Sequence, residues 1–263
     1  VPGSNPLHHP RYPLSNKYDA EWVFENLMGP NALWLMESLT EVLAIGPGMN
    51  VLDLGCGRAM TSIFLAKEFG AQVWAADLWI DPDDNAKRIA AAGMEDMVTP
   101  VYAEAHSLPF EYNFFDAIVS VDAYHYFGTS DLYIGYLTDF LYDGGKVGIV
   151  VPSLQEELGD DIPDVLVPYW NWDFCSFHTA EWWRRHWAKT GKVRVNVAGE
   201  VEDGWADWLH FDEVTAQHTD GWRQEGAAHS AAMLRADGGH NLCFARVVGT
   251  KRDGPLHAEP TGR

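Results

Sequence analysis

The sequence predicts a doubly wound α/β domain built on a largely parallel sheet. Two observations carry that prediction. Short apolar runs alternate with segments of helical period from Asn50 to Val151, and the first of those runs stops at a glycine-rich turn that opens a helix. Composition agrees: 263 residues with 47% apolar and 21% charged side chains suit one large globular unit with embellishments rather than a disordered or fibrous chain.

Residues 1 to 16 carry four prolines and no periodicity, which predicts a poorly ordered arm. From Tyr18 to Leu43 apolar residues recur at helical spacing, and Gly29-Pro30-Asn31 divides them into two helices. Asn50 to Leu54 is the first strand, Thr61 to Phe69 its helix, Gln72 to Ala76 the second strand ending at Asp77, Asp83 to Ala92 a helix, and Val98 to Ala103 the third strand. Phe115 to Ser120 reads as the fourth strand, Leu132 to Leu141 as a helix, Gly144-Gly145 as its stop, and Lys146 to Val151 as the fifth. From Pro152 to Phe177 periodicity fades into an acidic, aromatic stretch too long for an ordinary connection, which predicts a cap or lid. Thr179 then N-caps a helix through Trp187, Val193 to Val197 and Leu242 to Val248 are strands, and Asp203 to Arg235 is mostly helical.

Charge and cysteine content narrow the function. Eighteen basic against 38 acidic residues give a formal net charge of -20, which repels phosphate backbones, so nucleic acid is excluded as a partner. Three scattered cysteines without a C-x-x-C pair fit a reducing compartment, and neither a signal peptide nor a membrane span is legible, so a cytoplasmic location is expected. The histidines have no metal-ligand spacing, and no metal is expected.

The informative string is Val51-Leu52-Asp53-Leu54-Gly55-Cys56-Gly57-Arg58-Ala59-Met60. A glycine turn after a buried strand lets a ligand approach the backbone. A dinucleotide would want G-x-G-x-x-G so that its pyrophosphate sits on the helix N terminus. Here Met60 holds the third glycine position, and the acid Asp53 precedes the turn. A carboxylate suits a cation instead, and S-adenosylmethionine brings a sulfonium and an ammonium. Asp77, 20 residues beyond Gly57, can accept from both ribose hydroxyls in either cofactor.

On these residues the chain resembles the class I S-adenosylmethionine-dependent methyltransferases from about Met49 to Ile149, with a weaker echo to Val248. The resemblance implies a Rossmann-like seven-stranded sheet with the last strand antiparallel. It also implies a cofactor set of Asp53, Gly55, Cys56 and Gly57 in the loop, Asp77 at the ribose, and Leu78 packing on adenine with Trp79 beside it. Glu104-Ala105-His106-Ser107-Leu108-Pro109-Phe110 resembles the segment that holds the adenine amino group, with Glu104 replacing the usual aspartate. Phe115-Asp116-Ala117-Ile118 and Gly144-Gly145 match further segments, Asp143 standing for a proline. Ala59 stands where the family usually has its third glycine, so backbone contacts there are expected to shift. The layout is similar to the small-molecule branch containing the ubiquinone/menaquinone and cyclopropane-fatty-acid synthase-like enzymes, which implies a small-molecule acceptor, methyl transfer and S-adenosylhomocysteine as product.

Asp122, Tyr124 and His125 follow the fourth strand, where ligands gather at the sheet's carboxyl edge. Asp122 is assigned to the cofactor, and Tyr124 and His125 to catalysis. His125 is the preferred general base, or else it packs against the cofactor's methionine arm. Tyr18 is either a lid residue or a surface tyrosine. Trp170, Trp172 and Phe174 are assigned to an aromatic acceptor pocket, Trp183 and Trp187 to the core face of a helix, and Cys56 to a structural rather than nucleophilic role.

The expected organisation is an arm and helical lid over 1–48, a cofactor-binding core over 49–151, a cap insertion over 152–177, completion of the sheet with a helical cap over 178–250, and a tail over 251–263. Two alternatives stay open: a noncatalytic S-adenosylmethionine-binding subunit and a nicotinamide-dependent oxidoreductase.

Overall fold

The computed structural model describes residues 5 to 252; the expected tail therefore lies almost wholly outside the described residues. Seven strands form one sheet in the order β3-β2-β1-β4-β5-β7-β6. β1 (Asn50–Leu54), β2 (Gln72–Asp77), β3 (Val98–Tyr102), β4 (Phe115–Val121) and β5 (Leu141–Leu154) are mutually parallel. β7 (Leu242–Lys251) lies antiparallel between β5 and β6 (Val193–Glu200). The order reverses at β1 and β4, which opens a crevice at their carboxyl ends.

Helices cover both faces, as a parallel sheet requires. On one side α2 (Ala32–Thr40), α3 (Met60–Phe69), α7 (Gly204–His218) and α8 (Gly221–Asp237) bury Met36, Leu39, Phe64, Phe211 and Leu234 with α1 (Ala20–Asn26) nearby. α4 (Pro82–Ala91) joins this layer through Ile89. On the other side α5 (Tyr133–Thr138) and α6 (Ala180–Lys189) bury Ile134, Leu137, Trp183 and Trp187. Thr179 caps α6 by accepting from Trp182 N–H, and Asp19 and Asn31 cap α1 and α2 in the same way, so each sequence break became a helix start.

The arm is packed rather than loose over its described part. Buried Glu37 accepts from the N–H groups of Leu14 at 2.9 Å and Ser15 at 2.7 Å, and Tyr12 donates its hydroxyl to Asp207 at 2.7 Å. Four prolines removed the periodicity without removing the anchors. Gly144-Gly145 also departs from expectation, because it lies inside β5. Leu141 pairs with Phe115 and Lys146 with Ala117, so residues 142 to 145 loop out as a bulge with Gly144 at φ +76°. After β5 the expected cap is two short 3-10 turns, Val167–Tyr169 and Trp172–Ser176. Among the described residues no helix is long and apolar enough to cross a membrane.

Candidate active site

A cavity of about 320 Å³ opens where β1, β2, β3 and β4 end, walled also by the α1–α2 connection. Its floor is the turn after β1. Gly55 and Gly57 sit at φ +75° and +54°, in the left-handed region that favours glycine. The volume they spare is taken by protein: a Cβ on Gly55 would stand 2.4 Å from Ala123 Cβ, and one on Gly57 would stand 2.8 Å from Met28 Sδ. Ala59 is left-handed too, at φ +61°, which accounts for the glycine found there in the family it resembles.

Asp77 is the pivot. Its Oδ2 accepts from Gly57 N–H at 2.8 Å, and its Oδ1 accepts from the N–H groups of Trp79 at 2.8 Å and Ile80 at 3.0 Å. The carboxylate is thus fixed facing the cavity, with lone pairs left for further donors. Leu78 and Trp79 follow, and Trp79 is 70% exposed, an apolar surface at the cavity wall with nothing to cover it. Cys56, Ala105 and His106 also line the space, with Glu104. Glu104 accepts from the backbone N–H of His106 and its Oε1 lies 2.9 Å from His106 Nδ1. That hydrogen bond holds the Glu104 carboxyl below its usual range. Burial pushes the Cys56 thiol well up, which keeps it from acting as a thiolate.

Several expected residues stand elsewhere. Asp53 is 1% exposed and outside the lining; its Oδ2 accepts from Thr61 Oγ1 and Ser62 Oγ, both at 2.6 Å, so it ties the turn to α3. Burial, eased by those two hydroxyls, raises its carboxyl to about 6. Tyr124 is wholly buried among Phe127, Tyr133, Trp183 and Trp187, its hydroxyl without a partner, and belongs to the core. His125 is 1% exposed, packs on Tyr126 and Phe177, and burial lowers it to about 3. A neutral imidazole shut away from the cavity is unsuited to act as a base.

Tyr18 is neither lid nor surface. It is buried against Trp22 and Phe64, with its hydroxyl 3.3 Å from Glu68. Trp170 and Phe174 pack on each other, Phe174 stacks on Phe177, and Trp172 is 79% exposed; none of the three lines the cavity. Instead of forming a pocket, Phe174 and Phe177 close the seam between the connection and His125 after β4.

The cavity's far wall is Asp122, Tyr126 and Phe127, with Met28 and Gly29 across from them. Asp122 adopts φ +53°, and its Oδ2 would meet a Cβ on Gly29 at 2.5 Å. Burial first, then the charge of Asp212 on α7, raise its carboxyl to about 7. Burial, Asp122 and Asp173 push the Tyr126 phenol up to about 12, so it stays a donor at neutral pH. Tyr126 lines the cavity although the sequence marks its neighbour His125, whose chemistry is the more familiar.

Residues 51–145 match the family described as a methyltransferase domain. Within those residues the chain resembles a methyltransferase domain. Over 70% of its length it is 29% identical to the methyltransferase GfsG of Streptomyces halstedii, and the match spans 62% of that relative. Among solved structures, the geranyl diphosphate C-methyltransferase of Streptomyces coelicolor A3(2) in complex with Mg2+, geranyl diphosphate and S-adenosyl-L-homocysteine superposes with a TM-score of 0.66 at 17% identity, over 82% of this chain and 76% of that one. The [4+2]-cyclase SpnF also gives 0.66, at 20% identity, over 83% and 80%. These two likenesses establish the methyltransferase fold, including its antiparallel last strand.

Proposed function

We propose that the chain is an enzyme that transfers the methyl group of S-adenosylmethionine to a nitrogen, oxygen or carbon nucleophile of a small-molecule acceptor. The observation that carries this reading is the Asp77 carboxylate, pinned by Gly57 N–H at 2.8 Å beneath a cavity that reaches from Glu104 and His106 to Asp122 and Tyr126. The residues present fit the donor. A ribose diol finds free lone pairs on Asp77, an adenine finds the bare faces of Leu78 and Trp79, and the loop N–H that a pyrophosphate would need is already engaged by Asp77.

The donor supplies a methyl group already activated on sulfur, so the protein needs no covalent nucleophile. What remains for the chain is orientation and exclusion of water. Met28, Trp79 and Phe127 form apolar walls, and Tyr126 can donate a hydrogen bond to the acceptor. Asp122, raised to about 7, can take a proton from an O–H or N–H acceptor near neutral pH, a role expected of His125 from sequence. Three free cysteines support a reducing, cytoplasmic setting.

The test is to incubate the protein with methyl-labelled S-adenosylmethionine and a small-molecule extract, and to seek labelled products by mass spectrometry. A labelled small molecule is the expected result. A second reading, left open by the sequence, is a protein that binds the donor without transferring methyl. Donor binding by calorimetry with no label leaving it would select that reading. Competition of NAD with S-adenosylhomocysteine would instead select an oxidoreductase.

A further inference from the structure

In a chain with 38 acidic and 18 basic residues, arginines should find carboxylates easily. Arg11, Arg184, Arg185, Arg235 and Arg246 do. Arg58, Arg88 and Arg223 do not: among the described residues none of them pairs with a carboxylate, yet they come together from three separate elements. Arg58 belongs to the turn before α3 and lines the cavity, Arg88 to the last turn of α4, and Arg223 to the first turn of α8.

Hydrogen bonds fix their proximity. Arg58 Nη1 donates to the carbonyl oxygen of Glu25 at 2.6 Å, and Arg223 Nη2 donates to the same oxygen at 2.9 Å. Arg88 Nη1 donates to Asn85 Oδ1 at 3.1 Å, and Asn85 Nδ2 donates to the Gly57 carbonyl at 2.9 Å, which ties Arg88 to the Arg58 turn. Two guanidinium groups therefore share one neutral acceptor with no negative charge between them. The Nε atoms of both Arg58 and Arg223 are buried without a partner. Burial, then the charges of Arg88 and Arg223, disfavour the charged form of Arg58.

Capping the end of α1 explains one N–H on each of the two groups and leaves both Nε donors idle. Buried donors without partners are rare in folded proteins, and the guanidinium fork matches the two oxygens of a carboxylate or phosphate. We propose that Arg58 and Arg223, with Arg88 beside them, form an oxyanion site at the edge of the cavity, taking a carboxylate or phosphate group. Because Arg223 rides on α8, the bound anion also ties that helix to the turn after β1.

Two sources carry that chemistry: the α-carboxylate of the methionine arm, which rests on the donor reading above, and an anion separate from the donor, which does not. Calorimetry on the full chain separates them, using S-adenosylhomocysteine, 5′-methylthioadenosine, which lacks the amino-acid arm, and inorganic phosphate, each against the unaltered protein, Arg58→Gln and Arg223→Gln. If the donor's carboxylate is held, both substitutions weaken S-adenosylhomocysteine at least tenfold and leave methylthioadenosine unchanged. If a separate anion is held, nucleoside binding is unchanged and phosphate binding disappears in both variants. Arg223→Lys, which keeps the charge and loses the fork, falls between in either case and serves if a glutamine variant does not fold. The proposal is overturned if neither S-adenosylhomocysteine nor phosphate binding responds to any of these substitutions. Phosphate binding that depends on the arginines, in a protein that binds neither nucleoside, would uphold the site and remove the donor reading.

Discussion

The turns that follow β1 to β4 and the segment 152–177, the end of β5 with the connection after it, are both expected from sequence to face ligand, and they differ in outcome. The turns supply the larger part of the cavity wall: Gly55, Gly57, Asp77, Leu78, Glu104 and Asp122 all reach it. The connection supplies none of it, and its rings instead pack on one another and on His125. The turns carry their function in backbone conformation and in short carboxylate-to-N–H bonds, which are local. An aromatic cluster has no such local signature, since the same rings serve a pocket or a seam, and only packing decides.

The sharpest way to test this contrast is to truncate one ring buried in the core of α6 and one ring of the connection. Trp187→Ala empties a fully buried site and should cost about 3–5 kcal/mol of stability, read by denaturant unfolding. Trp172→Ala, at an exposed ring, should stay within about 0.5 kcal/mol and leave donor affinity unchanged. A large loss of acceptor turnover in Trp172→Ala would return the connection to the site. Next, Asp77→Ala should weaken S-adenosylhomocysteine by about 100-fold in calorimetry, through loss of charge-assisted hydrogen bonds and of the Gly57 anchor. Unchanged binding would remove Asp77 from the ribose and with it the main support for the donor.

Asp122 and His125 provide the third comparison. A base with a carboxyl near 7 works only when deprotonated, so turnover should rise with pH up to about 7 and level off above it. Asp122→Asn should lower the rate by about 100-fold or more and abolish that limb, while His125→Gln keeps it. Asp212→Asn removes the like charge that helps raise Asp122 and should move the limb to lower pH. The same shifts bear on stability. Asp122 and Asp212, both raised to about 7, favour the folded state fully below their unfolded values near 3.8, and that contribution is lost as pH rises through 7. Asp212→Asn should therefore raise the melting temperature more at pH 8 than at pH 5. A small gain is expected at Ala59, where glycine would relieve a left-handed backbone at φ +61° and add about 0.5–1 kcal/mol.

Much of the fold was legible, since strand and helix periods survive in a buried parallel sheet, and Thr179 and the Gly29-Pro30-Asn31 break announced their helices, whereas the Asp19 cap appears only in the structure. The exceptions share one cause. The packed arm, the bulge within β5 and the burial of Tyr18, Tyr124 and His125 all depend on partners far away in the chain, such as Glu37 for Leu14 or Trp183 for Tyr124. Asp53 shows the limit within the motif itself: its spacing pointed to a ligand, and two hydroxyls one turn later claimed it.

The sequence by itself determined the order of elements, the glycine turn and the carboxylate at the end of β2, because these follow from periodicity and from backbone conformations that few residues adopt. Tertiary structure alone decided which side of each segment faces the cavity. Asp122 and Tyr126 line it while their neighbours Tyr124 and His125 are buried, a choice made by how the 3-10 turn after β4 packs against α6 and the connection, which adjacent residues in a sequence cannot express.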